Sequence, residues 1–436
     1  MNILMLTSPA PAHAPFSTSE KRPPLGVGYL ISTLKQQGHR VFFSDEYLQP
    51  SNILDSSFIL DHAIDFVGIY ANTICYPETL KLLAKLSERR HNDHWPGKII
   101  MGGPHTSFAA ADVPAEVDYI VIGEGEQALV EIVEGRTTSR IVQGVAVADL
   151  DTLPPVAWEE FIWRGYDWTY PLVDAKPVYT FNTSRGCPFD CSFCSVKGVW
   201  GKGYRAMSAE RIVNDIQWMI RYYGLKAAYF REDNFTLDKK RLTSFCELLL
   251  SRGITIDWLC ETRADSINDD QLLALMARSG CKALYVGVES GSQRMLDYYR
   301  KGISVDTFVA ALTKARSHGM KLYTSFIVGA PRETEADLQE TYRLLDAIKP
   351  EAHSLNIFVG IPGSELYQEI LDQQLYGHID AHGIAYLKNH NELVDRFYQG
   401  NSHYKIPLAS DSAETRTGLL QRLMQRLSGR RGQAGT

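Results

Sequence analysis

Cys187, Cys191 and Cys194 stand in the stretch Ser184-Arg185-Gly186-Cys187-Pro188-Phe189-Asp190-Cys191-Ser192-Phe193-Cys194, three thiols within eight residues of a chain that has seven cysteines. Three thiolates can hold three corners of a cubane iron-sulfur cluster, a site normally completed by a fourth ligand. No fourth cysteine lies nearby, so one iron is left open to a substrate or cofactor and the cluster becomes a reaction centre. The same spacing would also place three small hydrophobes on one helix face. Gly186 and Pro188 flank the first thiol and argue for a loop instead. The pattern also differs from the paired C-x-x-C units of structural zinc sites.

C-x-x-x-C-x-x-C with Phe193 before the last cysteine resembles the signature of the radical S-adenosylmethionine (SAM) superfamily. The resemblance implies a [4Fe-4S] cluster on Cys187, Cys191 and Cys194 whose open iron chelates SAM, with Phe193 near the adenine. It also implies reductive cleavage of the sulfonium to a 5'-deoxyadenosyl radical that abstracts hydrogen from unactivated carbon. Such chemistry requires a low-potential electron delivered at contact, which thiolate-bound clusters can supply. A donor such as flavodoxin or ferredoxin is therefore an expected partner.

These residues need elements to carry them. At 436 residues the chain exceeds one ordinary core, and two domains fit best. Up to about residue 135 the sequence alternates strand-like and helix-like segments. Ile3 to Thr7, Arg40 to Ser44, Phe66 to Tyr70, Ile99 to Gly102 and Tyr119 to Ile122 read as strands. Gly26 to Gln37 and Glu78 to Arg90 read as helices, with another from Glu126. This βαβ pattern predicts a doubly wound parallel sheet, whose ligands bind beyond the carboxyl ends of the strands. Leu25-Gly26, Gly102-Gly103 and Gly123-Glu124-Gly125 fall at strand-to-helix turns, where glycine permits close approach of backbone to a ligand.

Those turns, in this order ahead of the cysteines, resemble the N-terminal cobalamin (B12)-binding domain of one branch of the superfamily. The resemblance assigns Leu25, Gly26, Gly102, Gly103, Gly123, Glu124 and Gly125 to cobalamin. The D-x-H-x-x-G motif that supplies a cobalt ligand in several other B12 proteins is absent, and His105 is read as satisfied by its own turn.

Leu150 to Val156 is a proline-bearing connector. Trp158, Trp163 and Trp168 follow it and are expected to pack between the domains. From Val178 strands and helices alternate again: Tyr179 to Asn182, Ala227 to Arg231, Ile256 to Cys260, Ala283 to Val288, Leu322 to Val328 and His353 to Val359, with a helix at Ala209 to Tyr223. Six βα units predict a partial (β/α)6 TIM-type barrel with function at the C-terminal strand ends. The expected division is 1–145 cobalamin-binding-like, 146–176 linker, 177–375 radical SAM core and 376–436 C-terminal region.

The strand ends also resemble the family. Glu232-Asp233-Asn234 takes the place of a segment that contacts the amino group of SAM, for which Glu232 or Asp233 would accept a charge-assisted bond. Arg263 would meet the SAM carboxylate through its guanidinium fork. Glu289 and Ser290 match a segment contacting the ribose, and Gly329 and Pro331 a strand end near adenine. Cys246, Cys260 and Cys281 read as core residues, and Tyr204, Tyr285 and Tyr323 as core or wall.

A net charge of -6 and a pI near 6.1 argue against a globally basic nucleic-acid binder. A basic helix from Ser412 to Ser428, bearing Arg416, Arg422 and Arg426, reads as a docking helix. No apolar run is long enough to span a bilayer, and Met1 to Pro9 lacks a basic leader and reads as the first strand. Unpaired, clustered thiols fit a reducing cytoplasm. The leading expectation is a cobalamin-dependent methyltransferase acting on a small metabolite or natural-product precursor. The alternative is a cobalamin-independent dehydratase, epimerase or cyclase with a vestigial B12-like domain. A tRNA-modifying enzyme is disfavoured by the acidic balance.

Overall fold

The computed structural model describes residues 1–10, 21–51, 53–54, 57–201, 203–380 and 383–399. The first sheet consists of β1 (Asn2–Thr7), β2 (Arg40–Ser44), β3 (Phe66–Tyr70), β4 (Lys98–Gly102), β5 (Tyr119–Ile122) and β6 (Ile141–Gln143), in the order β2-β1-β3-β4-β5-β6. All its pairings are parallel. Alternate side chains of β1 feed different cores: Ile3 and Met5 pack on one face, Leu4 and Leu6 on the other. A sheet buried on both faces reads as a continuous apolar run. The strand order reverses between β1 and β3, the switch point where ligand crevices open in such sheets.

The second sheet begins with β7 (Val178–Phe181). A short antiparallel hairpin of β8 (Ser184–Arg185) and β9 (Arg205–Ala206) intervenes before β10 (Ala227–Phe230), β11 (Asp257–Thr262), β12 (Cys281–Glu289), β13 (Lys321–Val328) and β14 (Ala352–Ile357). The six long strands pair in parallel in the order β14-β13-β12-β11-β10-β7. Alternation again sorts the side chains. Ala228, Phe230, Trp258 and Cys260 join the main core, whereas Ala227, Tyr229, Leu259, Ala283 and Tyr323 form a second cluster with Tyr170, Leu172 and Val173. The result is an open barrel segment whose inner face is stoppered by the residues preceding β7.

Local chemistry sets the helix ends. The helix Ala209–Tyr223 starts where the Ser208 side chain accepts from the Arg211 N–H, stops at left-handed Gly224, and buries Ile212, Val213, Ile216 and Met219. Between the sheets, Val156 and Phe161 press on Gly28 of the helix Leu25–Gln36, leaving no room for a Cβ there. Trp158 is buried against Tyr179 and Trp168. Trp163 departs from its expected packing and is exposed, because it falls on the outer side of the turn that buries Phe161 and Ile162.

Three pieces were not foreseen: β6, the β8–β9 hairpin, and a later antiparallel pair, β15 (Tyr376–Ile379) with β16 (Ala385–Leu387). The expected helix Ser412 to Ser428 lies outside the described residues. Among the described residues no helix is long and apolar enough to cross a membrane.

Candidate active site

The three thiols lie on the loop closed by β8 and β9. Gly186, at φ +84°, turns the chain into this loop, and a Cβ there would overlap the Gly203 carbonyl. The base of the loop is held from the next strand end. Glu232 accepts from the Ser184 N–H at 2.7 Å, from the Thr183 hydroxyl at 3.0 Å and from Arg241 at 3.3 Å. Farther along, Ser192 donates its N–H to the Tyr299 carbonyl at 2.9 Å and its hydroxyl to the Tyr298 carbonyl at 3.0 Å.

Cys187, Cys191 and Cys194 are unpaired and partly exposed. Burial pushes the Cys194 thiol up to about 11, with Asp233 and the other two cysteines adding to the effect. Burial likewise raises Cys187, with Asp233 and Cys191 raising it further and Arg263 opposing. Held as thiolates, these three sulfurs would need a compensating positive centre, which the iron of a cubane would supply, and a three-cysteine donor set fits that group. Among the described residues no three His, Cys, Asp or Glu side chains converge as a single ion would require. Cys187, Cys191 and Cys194 would instead hold a larger group, an iron-sulfur cluster.

Strand ends ring this loop. Arg263, at the end of β11, is buried with its guanidinium 3.6 Å from the Phe189 ring centre and Nη1 3.8 Å from Cys191 Sγ. It is fixed by Asp265 at 3.0 Å and by the Lys301 carbonyl at 2.8 Å. Lys301, unmarked in the sequence, is also buried. Its Nζ lies 2.8 Å from Glu289 and 6.0 Å from the Phe193 ring centre. Phe193 meets Tyr299 edge-on at 5.5 Å. One network therefore joins Cys191, Phe193, Arg263 and Glu289 through Lys301. Lys301 had no signal of its own, being one of many basic residues with nothing local to say that it would be buried.

Other residues take different places. Glu232 faces inward and its oxygens are occupied by the loop base, so Asp233 is the more accessible carboxylate of the pair, though protein packs around its carboxyl. Partial burial, and secondarily Glu232, raise the Asp233 carboxyl. Ser290 is buried and its oxygen accepts from the Ser292 N–H at 3.1 Å. Gly329 has φ +73°, and Leu393 fills the space beside its Cα; Pro331 is buried. Thr334 caps the helix Glu335–Ile348 through a capping box with Asp337. Cys246, Cys260 and Cys281 are core residues.

The residues singled out in the first lobe gather at the C-terminal ends of its strands. Leu25 opens the helix after β1, Gly102 ends β4, and Gly125 caps the helix Glu126–Val133. Gly103, at φ +117°, brings its Cα so close to the Ala71 carbonyl that a Cβ would lie 2.5 Å from it. His105 is buried and stacked on Tyr76 at 3.7 Å. Glu126 Oε2 is buried with no hydrogen-bond partner, an acceptor suited to the amide side chains of a corrin. The glycine turns and this acceptor fit a corrinoid. Glu124 departs from the expectation: its carboxylate is taken up by Arg185, Arg205 and the Val147 N–H.

Comparison with known proteins agrees with this geometry. A B12-binding domain model matches residues 18–133, and a radical SAM superfamily model matches residues 181–345. An uncharacterised methyltransferase of Pyrococcus horikoshii is 27% identical over 86% of this chain and 84% of its own length. An anaerobic magnesium-protoporphyrin IX monomethyl ester cyclase of Cereibacter sphaeroides is also 27% identical, over 80% of this chain but 61% of its own length. The fold is shared with the cobalamin-dependent SAM radical enzyme OxsB with aqua-cobalamin and SAM bound: TM-score 0.73, 18% identity, 91% of this chain and 66% of that one. This chain thus spans just under two thirds of the OxsB chain. With both models matched in this order, the chain carries a B12-binding domain followed by a radical SAM domain.

Proposed function

We propose that this chain is a cobalamin-dependent radical SAM methyltransferase that alkylates carbon or phosphorus of a small metabolite or natural-product precursor. The observation that carries the reading is the union of a B12-binding unit and a three-thiol radical SAM unit around one continuous core, in a chain resembling a methyltransferase over most of both lengths. We divide it into residues 1–145, 146–176, 177–375 and 376–436, and take a reducing cytoplasm as its compartment. A low-potential flavodoxin or ferredoxin is the proposed electron donor.

In this reading Cys187, Cys191 and Cys194 would hold the cluster. Phe193, Asp233, Arg263, Glu289, Ser290, Gly329 and Pro331 would surround SAM, and the turns at Leu25–Gly26, Gly102–Gly103 and Gly123–Gly125 would carry cobalamin. Bound together, these groups supply a strong reductant, a means of hydrogen abstraction and a methyl carrier, as an unreactive acceptor requires. The side chains position and shield. Asp265 and the Lys301 carbonyl occupy the Nε–Nη2 edge of Arg263 and fix the guanidinium, which would leave Nη1, on the Cys191 side, and not the whole fork, to meet a carboxylate. Asp233 offers an acceptor to an ammonium group. The apolar stopper of Tyr170, Leu172 and Val173, with Tyr285 stacked on Tyr323 at 4.2 Å, keeps water from entering through the barrel floor.

A second reading, ring closure or another radical rearrangement, is favoured by the likeness to the cyclase. Anaerobically reconstituted protein given SAM labelled in its methyl group separates the two. Label in a product, together with a corrinoid visible spectrum, supports methyl transfer. Release of 5'-deoxyadenosine without label transfer favours the second reading, and cleavage that survives Cys191→Ala overturns both.

A further inference from the structure

Three buried charged side chains and a half-buried fourth, Arg205, gather where the two lobes meet. Arg185, on β8 two residues before Cys187, donates from Nη1 to Glu124 at 2.5 Å and from Nη2 to Glu126 at 2.6 Å. The three side chains are only 6%, 3% and 8% exposed. Arg205 is the cross-strand partner of Arg185 on β9; it also binds Glu124, and it donates to the Val147 carbonyl. The Arg185 guanidinium lies 5.9 Å from the Tyr29 ring centre and 5.3 Å from that of Trp200.

Chain order gives this arrangement its meaning. All three cysteines lie between Arg185 and Arg205, so the two arginines form the neck of the cluster loop. That neck is bolted to the Gly123–Glu126 turn at the end of β5 in the B12-binding lobe. Buried ion pairs add little net stability over apolar packing, but they dictate one geometry. A planar fork gripping two carboxylates from one turn dictates it more tightly than a point charge.

We propose that Arg185, with Glu124, Glu126 and Arg205, is a positioning clamp that holds the cluster loop in register with the cofactor-bearing turn of the first lobe. The clamp rests on the methyltransferase reading only for its catalytic consequence. Two centres that must act on one acceptor tolerate little displacement, since a shift of about 1 Å can cost on the order of a hundredfold in rate. Glu124 and Glu126 therefore act through the loop, and not by contact with the reacting atoms.

The test uses the full chain in two states. In the protein free of cluster and cofactors, hydrogen exchange is compared for wild type, Glu126→Gln, Arg185→Lys and the double variant Arg185→Met with Glu126→Gln. Amides of residues 186–204 are expected to exchange about tenfold faster in the double variant, while the strands β10 to β13 keep their protection. Glu126→Gln, about 60 residues away in sequence, should loosen the same loop, and Arg185→Lys should be intermediate. In the reconstituted Arg185→Lys enzyme, which alters no residue assigned to a cofactor, 5'-deoxyadenosine formation should stay within about twofold while methylated product per cleavage falls at least about tenfold. Unchanged loop exchange overturns the clamp. Faster exchange with an unaltered product ratio also overturns it, as that marks mere structural support. If wild type makes no methylated product at all, the methyltransferase reading falls alone, and the exchange data still decide the clamp.

Discussion

Arg263 shows how much one side chain can be asked to do at this site. Its fork is already divided between Asp265 and the Lys301 carbonyl, and its plane lies on Phe189 beside Cys191. Lysine keeps the charge but loses both the stacking and the fork. Arg263→Lys is expected to weaken SAM binding by about tenfold, or about 1.4 kcal/mol, measured by equilibrium dialysis on reconstituted protein; unchanged affinity would remove Arg263 from the site. Glu333 behaves differently. Burial pushes its carboxyl up to about 7 against the opposing N–H of Gly329, and its Oε1 has no partner. A carboxyl raised in the folded state contributes most when protonated. Its contribution is complete below the unfolded value of about 4.3 and is lost as pH rises through the folded value. Cofactor-free wild type should therefore lose melting temperature between pH 5 and 8 relative to Glu333→Gln, and parallel curves would refute this. The sequence motif named Arg263, but of its partners only Asp265, in the turn after β11, is a sequence neighbour; Lys301 comes from the loop after the helix Gln293–Tyr298, and Phe189 and Cys191 come from the cluster loop.

Elements were legible in proportion to their length. The long strands and the helix Ala209–Tyr223 carry enough turns of period or alternation to be read directly. β6, β8, β9 and β16 span two or three residues each, too few to express a period, and exist only because a neighbouring strand or turn pairs with them. Thr334 caps the helix Glu335–Ile348: Asp337 accepts from the Thr334 N–H and also from the Ser292 hydroxyl, tying that helix to the turn after β12. Thr334→Ala is expected to cost about 1 kcal/mol, read from urea unfolding of cofactor-free protein. A loss near zero would mean that Arg294 and Ser292 hold the helix end unaided.

At the scale of the molecule, the two lobes are joined by packing as well as charge. Phe108, on the helix Pro104–Ala109 of the first lobe, reaches between Gly198 and Gly363 of the second, and a Cβ at either glycine would overlap its ring. Gly198→Ala improves local helix propensity yet must displace Phe108, so the tertiary term decides the sign. The substitution is expected to destabilise by about 1–3 kcal/mol, and Phe108→Leu in the same chain should restore part of the loss. A stabilised single variant would show that the lobes are less tightly joined than drawn.

By itself the amino-acid order determined the thiol spacing, the succession of strand and helix, and the strand-end motifs that announce cluster, SAM and corrinoid, since each is expressed within a dozen residues. Only the tertiary structure decided which acids are taken up by other contacts of the fold. Glu232 and Glu124 carry the same carboxylate as Asp233 and Glu289, but the first is turned under the cluster loop and the second is gripped by arginines about 60 and 80 residues later. The reason is physical: motif and period are properties of neighbours along the chain, whereas burial and charge pairing depend on what the fold brings across space.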